Sequence, residues 1–126
     1  MIRLMQRARP RVLVLDDDAS MQRLVSTLLR RNGFRVDIAT KGSQAIDAVG
    51  KNAYDAVLLD IMMPTEGGMT VIKHLRKHDP NLLKRVLLLT GTPDSVLRSV
   101  RDYVAGVVHK PFDADELIEA VKKVAA

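Results

Sequence analysis

The chain has 126 residues, a net charge of +5 and no cysteine, which together suit one domain and exclude a disulfide framework or a thiolate metal site. A chain of this length buries roughly two thirds of its unfolded surface, enough for a single core. No apolar stretch approaches the roughly 20 residues of a membrane span, and the N-terminus lacks a signal-like apolar core, so we expect a cytoplasmic protein without membrane association.

Short apolar runs alternate with amphipathic segments five times along the chain. The runs are rich in Val, Leu and Ile and occupy 11–15, 35–39, 56–60, 85–90 and 106–109. Such runs are typical of strands that are buried on both faces. The alternation predicts an α/β fold, a doubly wound parallel sheet with helices on both faces and right-handed crossovers.

The first two amphipathic segments differ in strength. The first has apolar residues at i, i+3, i+4, i+7 and i+8, which predicts a buried helical stripe; these are Met21, Leu24, Val25, Leu28 and Leu29. Gly33 is placed to end this helix in a left-handed conformation. The second helix has the weaker apolar pattern, carried by Ala45, Ile46 and Val49.

The remaining helices have recognisable ends. The third spans about 69–78 and ends before Asp79-Pro80, because the residue before proline avoids helical angles. The fourth begins at Thr92-Pro93, a cap followed by proline at the first helical position. The fifth begins at Asp113, with Glu116 three residues later in a capping box. Residues 1–10 precede the first strand, and we expect a disordered basic arm there and a domain over 11–126.

Polar side chains end four of the five predicted strands. Asp16 and Asp17 follow the first strand, Asp60 ends the third, Thr90 ends the fourth and Lys110 follows the fifth. Open α/β sheets bind ligands at the carboxyl edge of their strands. Each acidic cluster alone is better explained as a helix cap or a solvated loop. The prediction of a site therefore rests on all of these groups reaching one edge.

The predicted cluster has the composition of a metal and phosphoryl site. Carboxylate oxygens are preferred by Mg²⁺, which accepts few protein ligands and keeps waters. Clustered carboxylates also repel one another and need a cation, which a metal and Lys110 would supply. A carboxylate can accept a phosphoryl group, and nearby positive charge stabilises the transfer.

These residues match a known family. Across about 11–125 the chain resembles the response-regulator receiver domain of two-component signalling. The matching pieces are Val14-Leu15-Asp16-Asp17-Asp18, Leu58-Leu59-Asp60-Ile61-Met62-Met63-Pro64, Gly68, Leu89-Thr90-Gly91 and Lys110-Pro111-Phe112. Each piece alone is weak, but their order and intervals are highly specific. The resemblance implies a flavodoxin-like, five-stranded sheet in the order 2-1-3-4-5.

The resemblance also assigns the residues of the acidic cluster. It implies that Asp60 accepts the phosphoryl group and that Asp17 and Asp60 bind Mg²⁺ directly. Asp16 is then a ligand through water, and the backbone carbonyl of Met62 is a third protein ligand. The resemblance further implies that the phosphoryl donor is a sensor histidine kinase or a phosphotransfer protein. It implies a signalling domain that catalyses its own phosphorylation and slow dephosphorylation, and we expect no enzyme that acts on other substrates.

The same resemblance describes a switch. Thr90 supplies a hydroxyl that turns toward the phosphoryl group, Lys110 is its salt-bridge partner, and the Lys110–Pro111 bond is cis. An output surface of the fourth helix, fifth strand and fifth helix then binds a second copy or a separate partner. Two positions depart from the family. Val107 replaces a frequent aromatic residue, and Gly67 replaces a frequent Asp, which predicts a looser loop.

Three other classes of protein fit the sequence less well than a receiver. An aspartate-nucleophile phosphatase of the haloacid dehalogenase type needs a second acid where Met62 stands. A pseudo-receiver, an unphosphorylated binding module, usually lacks one of the acids, the hydroxyl or the lysine. A dinucleotide-binding domain needs a glycine-rich first turn, and the first turn here reads Asp17-Asp18-Ala19-Ser20.

The basic character of the chain raises the question of nucleic acid binding. The chain has two Tyr, two Phe and no Trp, too few for a base-stacking surface, and no helix-turn-helix or zinc-finger spacing. We therefore expect no direct contact with nucleic acid. Most basic residues are interpreted as solvated helix faces, with a docking surface for an acidic partner as the less favoured alternative. The local concentrations are Arg7, Arg9 and Arg11, and Lys73, Arg76, Lys77, Lys84 and Arg85.

Overall fold

A parallel sheet of five strands forms the centre of the structure, a computed structural model that describes residues 9–63, 67–91 and 94–126. The strands are β1 (Arg11–Leu15), β2 (Arg35–Ala39), β3 (Ala56–Asp60), β4 (Val86–Thr90) and β5 (Gly106–His109). The helices are α1 (Ala19–Arg31), α2 (Gly42–Lys51), α3 (Gly68–His78), α4 (Asp94–Arg101) and α5 (Ala114–Ala125). The strand order is β2-β1-β3-β4-β5, as predicted.

Helices cover both faces of the sheet, which confirms the doubly wound architecture. Alternate strand residues form two apolar clusters because successive side chains of a strand point to opposite faces. One cluster joins Leu59 and Leu88 to α2, α3 and α4, and the other joins Leu58 to α1 and α5. Every residue of β3 and β4 is buried, which explains their uninterrupted apolar sequences.

Asp18 and Gly33 define the two ends of α1. The side chain of Asp18 caps the helix, because its Oδ1 accepts hydrogen bonds from the amides of Ser20 and Met21 at 2.9 and 3.4 Å. Gly33 has a φ of 91°, which confirms the predicted left-handed stop.

The prediction that Leu24 belongs to the buried stripe is wrong, since this residue is 47% exposed. Val25 and Leu29 define the buried side of α1, and Leu24 lies about 100° around the helix from Val25.

The segment before β4 also differs from the prediction. A 3₁₀ helix, Pro80–Arg85, follows α3 and buries Leu83. Because this helix includes Arg85, β4 begins at Val86 and not at residue 85. The predicted start of the fourth helix, Thr92-Pro93, lies outside the described residues. The predicted capping box of α5 is present, and the Asp113 amide donates to Glu116 Oε1 at 3.4 Å.

Most of the predicted N-terminal arm also lies outside the described residues. The carbonyls of Arg9 and Pro10, its last two residues, accept hydrogen bonds from the Arg35 side chain and amide at 2.9 and 2.8 Å. None of the helices in the described ranges is both long and apolar enough to cross a membrane.

A polar network closes the amino edge of the sheet, opposite the predicted site. Arg11 and the Tyr54 hydroxyl both donate to Asp37 Oδ2, at 2.8 and 2.7 Å. Burial alone would raise the pKa of Asp37, but these two hydrogen bonds and the charges of Arg11 and Arg35 together outweigh it and hold that pKa below its ordinary value. Burial and the bond to Asp37 raise the pKa of Tyr54 to about 12. The network therefore ties β1 and β2 to the turn before β3.

Candidate functional site

Three carboxylates meet at the carboxyl edge of the sheet. One oxygen from each of Asp16, Asp17 and Asp60 lies within 4.8 Å of the other two. The register of β1 and β3 produces this arrangement, because Leu15 pairs with Leu59 and both strands end at the same level. Asp16 and Asp60 are buried, whereas Asp17 is exposed.

Asp16 is the most enclosed member of the cluster, with no exposed surface. Its Oδ1 accepts a hydrogen bond from the Asp18 amide at 2.9 Å, and the Lys110 ammonium lies 3.3 Å from its Oδ2. Burial raises the pKa of Asp16 above its ordinary value, although the Asp18 amide and Lys110 oppose the shift. A further cation beside Asp16 would therefore stabilise its ionised form.

Asp60 is oriented by two contacts at the end of β3. The Met62 amide donates to its Oδ1 at 2.9 Å, and Lys110 Nζ lies 3.5 Å from its Oδ2. Lys110 thus bridges the two buried carboxylates of the cluster. An ammonium in this position can neutralise negative charge that is added at Asp60.

Thr90 and Lys110 are joined through the backbone. The Lys110 amide donates to the Thr90 carbonyl at 2.8 Å, and the Lys110–Pro111 bond is cis, as predicted. Thr90 is buried at the end of β4, one residue beyond Leu89, which pairs with Asp60. The hydroxyl-bearing residue therefore ends the strand beside the predicted phosphoacceptor.

Two glycines allow α3 to begin against the end of β3. A Cβ on Gly68 would lie 2.8 Å from the Asp60 carbonyl oxygen, closer than real Cβ contacts. A Cβ on Gly67 would lie 3.0 Å from Cβ of Met63, so this position is closely packed. The predicted loosening concerns the loop 65–68, of which residues 65 and 66 lie outside the described ranges, so it stays a prediction.

The structure brings together most of the predicted site residues. Asp16, Asp17, Asp60 and Lys110 form one cluster, and Thr90 ends the neighbouring strand. The assignment of the Met62 carbonyl as a ligand stays a prediction. Sequence reasoning missed two supporting contacts. The Asp18 amide bonds to Asp16, a role that cap patterns do not reveal, and the Gln22 side chain donates to the Asp16 carbonyl, for which the sequence holds no signal.

The donor set of the cluster fits Mg²⁺. It offers carboxylate oxygens only, it is open on the side of exposed Asp17, and no histidine belongs to it. The cluster holds the three carboxylates of Asp16, Asp17 and Asp60 but one ammonium, so a divalent cation would neutralise the two negative charges that remain.

Comparison with known proteins places this geometry in a family. The model of the response regulator receiver domain matches residues 12–122. The chain belongs to the receiver domains of two-component signalling.

Among solved structures, the response regulator TrrA of Thermotoga maritima, crystallised with Mg²⁺ and beryllofluoride, superposes with a TM-score of 0.80. It is 34% identical to this chain, and the match covers 91% of this chain and 98% of TrrA.

Relatives of two lengths are similar to the chain. The response regulator MprA of Mycobacterium sp. (strain KMS) is 36% identical over 89% of this chain, which spans only 49% of that relative. The chemotaxis protein CheY of Bacillus subtilis is 31% identical, and the match covers 90% of this chain and 95% of CheY. The chain thus spans about half the length of one group of relatives and nearly all of another.

Proposed function

We propose that this receiver accepts a phosphoryl group on Asp60 from a sensor histidine kinase or a phosphotransfer protein. The observation that carries the proposal is the position of Lys110 Nζ, 3.5 Å from Asp60 and 3.3 Å from Asp16. Mg²⁺ would be held by Asp16, Asp17, Asp60 and the Met62 carbonyl. An unphosphorylated receiver-like module usually lacks one of the acids, the hydroxyl or the lysine, and this chain has all of them.

The transfer uses the chemistry of the carboxylate. An oxygen of Asp60 attacks the phosphorus of a phosphohistidine, the P–N bond breaks, and the imidazole leaves with its electron pair. The Met62 amide fixes the Asp60 carboxylate through Oδ1, and Lys110 neutralises charge on the transferring oxygens. Bound Mg²⁺ would supply further positive charge. The domain thereby catalyses its own phosphorylation and, by water attack, its dephosphorylation.

The proposed switch starts at Thr90 and Lys110. Their side chains would turn toward the phosphoryl group, and the backbone bond between them would couple β4 to β5. The output surface would consist of α4, β5 and α5. A groove of about 490 Å³ on this side is bordered by Val107, Ala120 and Val124. It would take either a second copy of the chain or a separate partner.

Intact-mass analysis tests the phosphorylation directly. We expect acetyl phosphate to add one phosphoryl mass to the wild type in Mg²⁺ and none in excess chelator. Asp60→Asn should not gain the mass. Asp47→Asn, a change at an exposed acid that pairs with Lys51, is the matched control and should be phosphorylated normally. Phosphorylation of Asp60→Asn, or equal phosphorylation in chelator, would contradict the proposal.

A further inference from the structure

A second recess lies at the opposite edge of the sheet from Asp60. It is a groove of about 470 Å³ between the end of α3, the 3₁₀ helix and the segment before β5. We call it the basic groove; its lining includes Arg76, Leu83, Lys84, Asp102, Tyr103 and Val104. Because Lys84 precedes β4 and Val104 precedes β5, the groove lies at the amino ends of these strands. The proposed phosphorylation chemistry does not use it.

Tyr103 is an exposed but ordered feature of the basic groove. Its side chain is 43% exposed. The Arg76 guanidinium carbon lies 4.0 Å from the ring centroid, and Arg76 Nη2 donates to the hydroxyl at 3.1 Å. The two contacts hold the ring in one orientation, so the Tyr103 side chain would lose little conformational entropy when a ligand binds to it. Tyrosine and arginine are also the residue types enriched at the energetic centres of interfaces.

Several basic residues lie on the same helix as Arg76 or line the groove beside Tyr103. Lys73, Arg76 and Lys77 are exposed on α3 at i, i+3 and i+4, which places them on one face of the helix. Lys84 lines the groove and is also exposed. Over the described parts of the chain, Lys73, Lys77 and Lys84 form no ion pair with an acidic side chain.

Few acidic side chains near the groove neutralise these cations. Asp102 is the acidic residue among those that line the groove. The surrounding positive charge is therefore available to an external anion.

The floor of the basic groove is apolar. Leu83, Val104 and Ala105 line the groove together with the charged residues Arg76 and Lys84. A bare phosphate or a nucleic acid backbone would leave this floor unused, and one tyrosine already covered by an arginine is no platform for stacked bases. An acidic polypeptide that carries an apolar side chain would use both the rim and the floor.

We propose that the basic groove docks an acidic polypeptide segment, which inserts one apolar side chain between Leu83, Val104 and the Tyr103 ring and sets its carboxylates over Lys84 and the basic face of α3. The occupant is a partner protein with an acidic, amphipathic segment. The groove lies at the amino ends of the strands, whereas Asp60 lies at the carboxyl end of β3. Such a partner can therefore bind while the phosphorylation site is engaged by another protein.

Fluorescence anisotropy with labelled probes tests the docking. The main probe is a short peptide of alternating acidic residues around a central Phe. The comparison probes are the same peptide with Ser for Phe, the same peptide with Gln for every acid, and a single-stranded oligonucleotide. We expect the main probe to bind in a salt-dependent manner, and each peptide change to weaken binding. An oligonucleotide that binds more tightly than the acidic peptide would overturn the proposal in favour of nucleic acid.

Matched variants locate the binding. Lys84→Glu and Tyr103→Ala should each weaken the main probe by about tenfold or more, as expected for residues at the centre of an interface. Tyr103→Phe keeps the ring and should retain most of the affinity. Arg23→Glu makes the same charge reversal at an exposed site on α1, across the sheet, and should bind nearly as the wild type does.

Circular dichroism checks that each variant is folded. The proposal is wrong if the main probe does not bind the folded wild type. It is equally wrong if Arg23→Glu weakens binding as much as Lys84→Glu, because the attraction would then reflect net charge alone.

Discussion

Gly68 and Asp60 are in contact through their backbones, since a Cβ at Gly68 would stand 2.8 Å from the Asp60 carbonyl oxygen. The start of α3 therefore sets the position of the residue that we propose as phosphoacceptor. The same Cβ would also meet Cβ of Leu59 at 3.1 Å and Cδ1 of Ile61 at 3.2 Å. A side chain at this position must move either the helix or the end of β3.

We predict that Gly68→Ala destabilises the protein by about 1–3 kcal/mol, as overpacking does, and slows phosphorylation by acetyl phosphate. Gly50→Ala is the matched control, because a Cβ at Gly50 in α2 has nothing within 4 Å. That change should be neutral or stabilising by up to about 1 kcal/mol, as alanine favours the helix. Urea unfolding followed by circular dichroism measures both, and equal effects would contradict the close-packing argument.

Asp16→Asn should stabilise the metal-free protein at neutral pH by about 1 kcal/mol or more, since it removes a buried charge. The raised pKa of Asp16 means that the folded state holds its proton to higher pH than the unfolded state does. The metal-free protein therefore loses stability as the pH rises through that interval. The variant should lack this pH-dependent loss and should also lose stabilisation by Mg²⁺.

Thermal unfolding in chelator and in Mg²⁺, across a pH series, measures the effects at Asp16. Asp47→Asn, the exposed control, should follow the wild type in both conditions. The prediction is wrong if Asp16→Asn is less stable than the wild type in chelator and still gains stability from Mg²⁺. The buried charge of Asp16 would then not be what lowers the stability of the metal-free protein.

Thr90→Ala should leave phosphorylation nearly intact and abolish the conformational response. The hydroxyl is proposed to follow the phosphoryl group, whereas the Thr90 carbonyl that holds Lys110 is unaffected. Hydrogen exchange with and without beryllofluoride should show changes over 94–112 in the wild type and none there in the variant. Changes confined to α1 and α2 in the wild type would disprove the proposed output surface.

Val107→Tyr is the companion to this experiment. Val107 packs against the cluster that contains Leu88 and Leu97, and it also borders the groove beside α5. We expect the variant to fold and to respond nearly as the wild type does, because the proposed coupling passes through Thr90. A large gain in response would show that the chain still accepts the aromatic half of the family's switch.

Met62→Asn should shorten the lifetime of the phosphorylated state. The Met62 side chain is 65% exposed and offers no strong hydrogen bond to a water that approaches Asp60. An amide at this position could hold that water for attack. Met62→Leu keeps the bulk without the hydrogen bond and should decay as slowly as the wild type. Loss of the phosphoryl mass with time measures the rate, and an unchanged or slower rate in Met62→Asn would disprove this explanation.

Tyr54→Phe should destabilise the protein by about 1 kcal/mol at neutral pH, because Asp37 loses a hydrogen bond while staying partly hydrated. The lowered pKa of Asp37 means that its contribution is present above its ordinary pKa and is lost as the pH falls through the lowered one. The two proteins should therefore converge in acid. Between the ordinary tyrosine pKa of roughly 10 and the raised value of about 12, the wild type should lose stability that the variant keeps.

Urea unfolding over the acid and alkaline ranges measures these differences for Tyr54. Tyr103→Phe is the control, since its hydroxyl bonds to Arg76 at the exposed surface. A constant difference between wild type and Tyr54→Phe at every pH would show that Asp37 and Tyr54 do not share the network.

The strands and the residues of the site were predictable because their signals are local. Each strand is an apolar run, and each site residue directly follows or ends one, so parallel pairing alone brings Asp16 and Asp60 together. The exposure of Leu24 was not predictable, because apolar periodicity does not tell how much of a helix its neighbours cover. The 3₁₀ helix was missed because such short helices have a weak sequence signature.

The Arg76–Tyr103 contact shows a second limit of the sequence. The two residues are 27 positions apart on different elements, and no pattern in either segment predicts their pairing. Local signals such as caps and apolar runs therefore account for the edge that holds Asp60 but not for the opposite edge, where contacts between distant segments determine the surface.

The ion pair between Lys110 and Asp16 can form only after distant parts of the chain have folded together. It joins residues that are 94 positions apart, and Lys110 reaches Asp16 only when β5, the edge strand, has been added beside β4. Bringing together such distant segments of a parallel sheet is a slow step in folding. A chain emerging from the ribosome, or one that has lost its final strand, would hold two buried carboxylates without their lysine. The proposed phosphorylation of Asp60 therefore requires that β5 is in place, because Lys110 follows that strand.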